Sequence, residues 1–450
     1  MKRRTLGVMV ASALVSAKLR NAMAADSSLL TTTLTPFGSE RAGNADGSIP
    51  AWTGGYTQLP PGWQPGQAMP DFFASEQPVA TISADNVSQH ADRLSEGTVA
   101  LIQKYGLSIK VFPTHRTAMA PQWVYDNIAA NAGTAQLDAR GGRFGFTGAW
   151  GGVPFPITNA ADPVAAGSQI MWNHSSRWNG RYTRVNNSSY VVSSGSMVLA
   201  STVQSQICYP YYISEAGKDW VIKYSANVIA PPNLAGSESL SWYNTDGPTQ
   251  AWEVLSGQGR VRMAPEYAYD TPSPFTDGVS GYDEYYGFNG AHDRYDWRYI
   301  ANKEMYIPYN NNGLALATAE DAHLVHFLNP DVVRWELHRV WIVEATLHQG
   351  ERNVLPKRRF YIDEDTWMVG VNEAWDANGN LFKVGMNYNL VRPDLPGVIN
   401  LNTSVHNLQT GDFVTLGGIW NQQADPVLKF ADSIPAEVFD SENLAAAAQY

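Results

Sequence analysis

The stretch KRRFYIDEDTWMVGVNEAWDANGNLFKV (357–384) holds the chain's densest set of groups able to do acid–base or metal chemistry: Asp363-Glu364-Asp365, then Glu373 and Asp376. A glycosidase needs two carboxyl groups about 5–10 Å apart across a cleft, from positions that converge on one point. Three consecutive acids between two strand-like runs do not converge. Asp tolerates turn geometry and caps it with its own side chain, so the triplet reads as a turn. Asp376-Ala377-Asn378-Gly379-Asn380 opens like a calcium loop. Its glycine comes too early, however, and Asn387 stands where the bidentate Glu belongs. Asn378-Gly379 between two apolar runs is instead a hairpin signal. Gly43 to Ser48 fails the calcium pattern in the same way, and Asp46-Gly47 also reads as a turn.

The other reactive types are equally incomplete. His323 and His326 have a zinc-compatible spacing near His338, but no Glu of a His-Glu-x-x-His motif accompanies them. There is no Gly-x-Ser-x-Gly elbow. The glycines of GGRFG (141–145) lack the Lys-Ser/Thr ending of a phosphate loop, and no cofactor motif is present. Asp293, Arg294 and Asp296 lie among tyrosines and tryptophans in YGFNGAHDRYDWRYIANKEMYIPYN (286–310), where alternating charge and aromatic residues tie a loop onto a sheet. Cys208 is the single cysteine, so no intrachain disulfide forms, and it reads as a small buried hydrophobe. The sequence thus predicts no catalytic residue and no metal ligand.

What must position any site is a chain of 450 residues, 44% hydrophobic and 16% charged, enough for a sizeable core under a modestly charged surface. Residues 1–24 have the pattern of an export signal: basic Lys2-Arg3-Arg4, an apolar run from Leu6 to Ala17, and Ala22-Met23-Ala24 for cleavage. The run is short for a membrane span. Arg3-Arg4 leaves both the general and the twin-arginine route open. Removing those residues takes away five basic groups and no acid, moving the net charge from −11 to −16. Such a chain is repelled by nucleic acid and by anionic bilayers.

Residues 25–80 are rich in Pro, Gly, Asn and Thr and predict an extended arm anchored through Trp52, Trp63 and Phe72. Helices follow: one from about Val87 to Tyr105 behind a Ser83–Asn86 cap, one from Pro121 to about Ala132, and one from Pro163 to Trp178 capped by Asp162. From Arg181 the apolar period changes to two. Strands are expected at 182–192, 197–213, 219–229, 251–263, 300–308, 335–348, 357–363, 366–375 and 380–390. Helices followed by a strand meander make an α+β body, a curved antiparallel sheet with helices over one face, in a single domain from 81 to 450. Alternation places Trp341, Val343, Phe360, Ile362, Trp367, Phe382 and Val384 on one apolar face, wide enough to hold a ligand under the helices.

The blocks LTPFGSERAGNADGSIPAWTGG (34–55), PTHRTAMAPQWVYDN (113–127), GGVPFPI (151–157), GFNGAHDRYDWRYIANKEMYIPYN (287–310) and PKRRFYIDEDTWMVGVNEAWDANGNL (356–381) resemble domain-of-unknown-function family 1329, a family of exported proteobacterial proteins. The resemblance spans nearly the whole chain beyond the signal. It implies an unclosed half-barrel similar to the periplasmic lipoprotein carriers LolA and LolB, with helices over an apolar cavity. It implies no catalytic residue. The implied function is a periplasmic, outer-membrane lipoprotein-sorting-like carrier of a hydrophobic molecule or lipid, partnered by inner- and outer-membrane transport proteins. Two other classes stay open: a carbohydrate-active hydrolase using paired Asp/Glu among aromatics, and a non-binding scaffold subunit of an envelope complex.

Overall fold

The computed structural model describes residues 26–447 apart from 246, 259 and 423–426; the expected export signal lies outside the described residues. Three helices of ten residues or more are described. Helix α1 (Glu96–Tyr105) starts where the Ser95 hydroxyl accepts from Thr98 N and stops at Gly106, whose φ of 77° only glycine adopts freely. Helix α2 spans Gln122–Thr134. Helix α3 (Pro163–Ser175) is capped by Asp162, which accepts from Val164 N and Ala165 N. The expected helix from Val87 is broken into two 3-10 turns before α1, because Leu94 is extended and Ser95 supplies the stronger cap. No helix of the described residues is long and apolar enough to cross a membrane.

The strands are β1 (Ala80–Ile82), β2 (Ile109–Val111), β3 (Gln136–Leu137), β4 (Phe146–Thr147), β5 (Tyr182–Ser193), β6 (Ser196–Cys208), β7 (Trp220–Ala230), β8 (Glu238–Asn244), β9 (Gln250–Val254), β10 (Arg262–Met263), β11 (Tyr295–Pro308), β12 (Trp335–Leu347), β13 (Lys357–Asp363), β14 (Val369–Trp375), β15 (Leu381–Arg392), β16 (Gly397–Asn407), β17 (Phe413–Gly418) and β18 (Leu428–Phe430). Among the described residues, all but β3 and β4 join one curved, unclosed sheet of sixteen strands, antiparallel except for one β2–β12 bridge. Two meanders build it. Strands β12 to β17 run in sequence order, β5 to β10 do the same, and the Val414–Val191 register of β17 on β5 joins them. Strands β8, β16 and β17 escaped the sequence reading, as did the two- and three-residue strands β1 to β4 and β18. Segments such as ESLSWYN and GVINLNTSVHN put Ser and Asn where β-branched residues would announce a strand.

The sheet is covered on both sides of its β12–β15 half. One side, here called inner, carries Trp297, Trp341, Val343, Phe360 and Ile362, as the cross-strand register shows. Helix α3 closes over it so tightly that a Cβ on Gly167 would lie 2.6 Å from Arg298 N. Residues 265–294, mostly 3-10 turns, roof the remainder of that side. Asp283 pairs with Arg358 at 2.7 Å and Glu284 with Lys383 at 2.8 Å, tying roof to sheet. The opposite, outer side takes α1, where a Cβ on Gly97 would stand 2.7 Å from Val384 Cβ. Gly97→Val is therefore expected to cost about 1–3 kcal/mol through overpacking, read as a lower denaturant midpoint, while Gly133→Val, with open space around its Cβ, costs less.

The arm crosses the sheet's end. Of its three expected anchors only Trp52 is buried, its indole donating to Ala118 O at 2.9 Å; Trp63 and Phe72 stay partly exposed. Leu30, Phe37, Ile49 and Met69 do the rest of the anchoring.

Candidate functional site

Asp363-Glu364-Asp365 does form the turn from β13 toward β14, but its acids are buried among cations rather than solvated. Arg116, on the chain between β2 and α2, engages both oxygens of Asp365, with Nε at 2.8 Å and Nη2 at 2.7 Å. The Ser39 hydroxyl donates to Asp365 at 2.6 Å, so the arm closes this knot. Glu364 pairs with Arg339 at 3.3 Å. His338 lies between Glu336, 3.1 Å away, and Asp363, 3.5 Å away, and stacks on Tyr309 at 3.8 Å between centroids. Its ring, Asp363 and Asp365 offer three ligand atoms within 4.8 Å of one another. The Arg116 fork already holds both Asp365 oxygens, so the group reads as an ion network that locks arm, loop and sheet together.

Each acid's charge follows its partners. Burial pushes the Glu364 carboxyl up to about 8, with the neighbouring Asp365 adding to the rise and Arg339 opposing it. Burial also raises Asp363, to about 6. Asp365 is held below the usual Asp value, the Arg116 fork outweighing its burial. A carboxyl raised on folding stabilises fully below its unfolded value, and that contribution is lost as the pH climbs through the folded value. Between pH 4.5 and 8, Glu364 and Asp363 therefore make the protein less stable as pH rises, whereas Asp365 acts only below about pH 3.9. Glu364→Gln is expected to flatten the decline of melting temperature from pH 5 to pH 8, measured by scanning calorimetry.

The other acids of the opening stretch separate. Glu373 is buried and accepts from Gly97 N at 2.5 Å and from the Tyr361 hydroxyl at 3.0 Å, so it anchors the start of α1. Asp376 caps the exposed hairpin, accepting from Asn378 N and Asn380 N at 2.9 Å each. His323 and His326 do not meet His338: the first bonds Ala319 O and the Thr415 hydroxyl, the second Gly411 O.

The seven residues expected on one apolar face divide. Trp341, Val343, Phe360 and Ile362 share the inner side, and Trp367 stacks on Trp341 with ring planes 2° apart. Val384 does not join them. A bulge between the Tyr361 and Ile362 pairings puts Val369 opposite Ile362, and Val371 with Val384 on the α1 side. Phe382 is the extra residue of a second bulge, at Ala374/Trp375, and is partly exposed. Val343, Phe360 and Ile362 are sealed by α3 and the roof, with Phe288 edge-on to Phe360 at 5.8 Å, while Trp341 stays partly exposed.

The same inner side opens up in the other half of the sheet. Under the roof, Val203, Ile207, Ala226 and Val228 of β6 and β7 form the floor of a cavity of about 970 Å³, its mouth included, with Phe275 above. Tyrosines surround it: Tyr224 and Tyr243 from the sheet, Tyr267, Tyr282, Tyr285 and Tyr286 from the roof. A second cavity of about 740 Å³ adjoins it and shares Asn187, Ile207, Tyr209, Ile222, Tyr286 and Asn289 in its walls. Arg177, just beyond α3, lines that one. Among the described residues, no carboxylate lines either. Sequence reasoning missed these walls, since Ser205, Ser239 and Ser241 dilute the apolar alternation; the tyrosines crowded at 282–286 were the available signal.

The comparisons with known proteins place the chain. An uncharacterised protein of Pseudomonas aeruginosa is 36% identical over 400 residues, 84% of each chain. Among solved structures, an outer-membrane lipoprotein-sorting protein domain from Vibrio parahaemolyticus, so described provisionally, matches 64% of this chain and 100% of its own at 15% identity, with a TM-score of 0.44. A family protein from Desulfovibrio piger matches 63% and 99% at 14% identity and a TM-score of 0.43. A LolA-superfamily protein from Nitrosomonas europaea matches 62% and 99% at 12% and 0.36. The model of the family described as protein of unknown function, DUF1329, matches residues 81–445, and with the Pseudomonas relative it shows that this chain belongs to that family.

Proposed function

We propose that the protein is a non-enzymatic binding or carrier protein for a hydrophobic, lipid-like molecule in the bacterial envelope, held between the β5–β8 half of the sheet and the roof of residues 265–294. One observation carries this reading: a cavity of about 970 Å³, its mouth included, with an aliphatic floor and a tyrosine wall, beside a β12–β13 part of the inner face that α3 and the roof pack closed. Small-molecule sites are mostly apolar with a few polar groups to fix orientation, as this lining is. The hydrolase alternative needs two carboxyl groups across a wet cleft. The acids richest in sequence promise are instead buried against arginines, away from both cavities. An export signal at residues 1–24 accords with a periplasmic site of action, and exchange of ligand with inner- and outer-membrane transport proteins completes the proposal.

Titration with the neutral apolar dye N-phenyl-1-naphthylamine tests it. Saturable binding at one dye per chain, displaced by long-chain lipids, is the expected result. No saturable binding by protein stripped of lipid sinks the reading.

A further inference from the structure

Arg177 is 93% buried, with 7% of its surface exposed, yet none of the ion pairs among the described residues includes it. Its Nη1 donates to His174 O at 2.6 Å, at the C-terminal end of α3. Its Nε has no hydrogen-bond partner among the described residues. The guanidinium lies 5.7 Å from the centre of the Tyr286 ring. A buried guanidinium elsewhere in this protein is matched by an acid: Arg358 by Asp283, Arg116 by Asp365. Leaving a cation desolvated and without a carboxylate is costly, so an unmatched one on a cavity wall calls for an anion from outside. Ser175, Asn179, Thr183 and Asn400 share its cavity with aliphatic residues such as Val185 and Ile399, while Val203, Ala226 and Val228 line only the adjoining one.

We infer that the two cavities together take a monoanionic amphiphile, its apolar chain over Val203, Ile207 and Val228 and its acid group on Arg177. The inference rests on the binding-protein reading and adds the ligand's head-group chemistry. A planar guanidinium meets a carboxylate with two parallel hydrogen bonds, so an acid gains what the matching alcohol lacks. Helix α3 turns its negative end toward Arg177, which keeps the cation in place without a side-chain counter-ion until the ligand arrives.

The test is displacement of N-phenyl-1-naphthylamine from the full chain by hexadecanoic acid and by hexadecan-1-ol, with the alkyl phosphate as a third arm to identify the acid type. The acid is expected to displace the dye at least about tenfold more tightly than the alcohol. Arg177→Gln should erase that difference and Arg177→Lys should retain most of it. Because removal of an unmatched buried cation relieves desolvation, Arg177→Gln should melt no lower than the wild type. Equal displacement by acid and alcohol in the wild type overturns the inference while leaving the cavity reading standing. A preference that persists in Arg177→Gln overturns it too. Failure of the dye to bind at all defeats the cavity reading itself, and this inference with it.

Discussion

Arg116→Ala is expected to destabilise the protein by about 3–5 kcal/mol, the usual result of removing one partner from a buried pair. The side chain is 2% exposed, as is that of Asp365, and the fork satisfies both carboxylate oxygens. It also donates to Glu40 O at 2.7 Å, so the arm loses its tether along with the pair. A loss of that size is a large share of the 5–15 kcal/mol that holds an ordinary domain together. Denaturant unfolding measures it. Arg116→Ala combined with Asp365→Asn should recover part of the loss, because the stranded charge is gone. A drop below about 1 kcal/mol in the single variant would mean the knot is solvated and does not lock the arm.

Ala226→Trp should weaken ligand binding more than tenfold while keeping the fold. Ala226 sits mid-floor, paired across β6 to Ser205 and across β8 to Ser239, and its Cβ faces open cavity. An indole there takes the place of the ligand's chain. Losing about 100 Å² of apolar contact removes about 2.5 kcal/mol, more than tenfold in affinity. The control is Val343→Ala in the packed half, expected to cost stability through a cavity but to leave dye affinity within about threefold. Dye binding and melting temperature on the same samples separate the two outcomes. Equal weakening of binding by both substitutions would place the ligand elsewhere.

What the sequence disclosed and what it hid follow one physical division. Local signals were legible: the Asn378-Gly379 hairpin, the Asp162 cap of α3 and the Gly106 stop of α1 each depend on neighbours a few residues away. The curved antiparallel sheet was legible as a class from period-two alternation. The roles of the acids were not, because their partners are remote: Glu373 meets Gly97, Asp365 meets Arg116 and Ser39, and Asp283 meets Arg358. Alternation also fails at bulges. One extra residue, Gly370, moved Val384 to the far face, and a lone glycine inside the strand was the local sign of it. The sealed half of the inner side carries the stronger apolar alternation, in β12 and β13, since a packed core demands it. The cavity half is built from mixed Ser, Asn, Val and Tyr, which reads as an indifferent surface until the strands are paired.

The most direct test of the carrier account is native mass spectrometry of the full chain isolated from the periplasm without detergent, beside the Ala226→Trp variant. The account predicts a mass excess of one lipid-sized molecule on the wild type, extractable into organic solvent and absent from the variant. A wild type that leaves the periplasm at its bare polypeptide mass, and stays at that mass after incubation with envelope lipid extract, would contradict it.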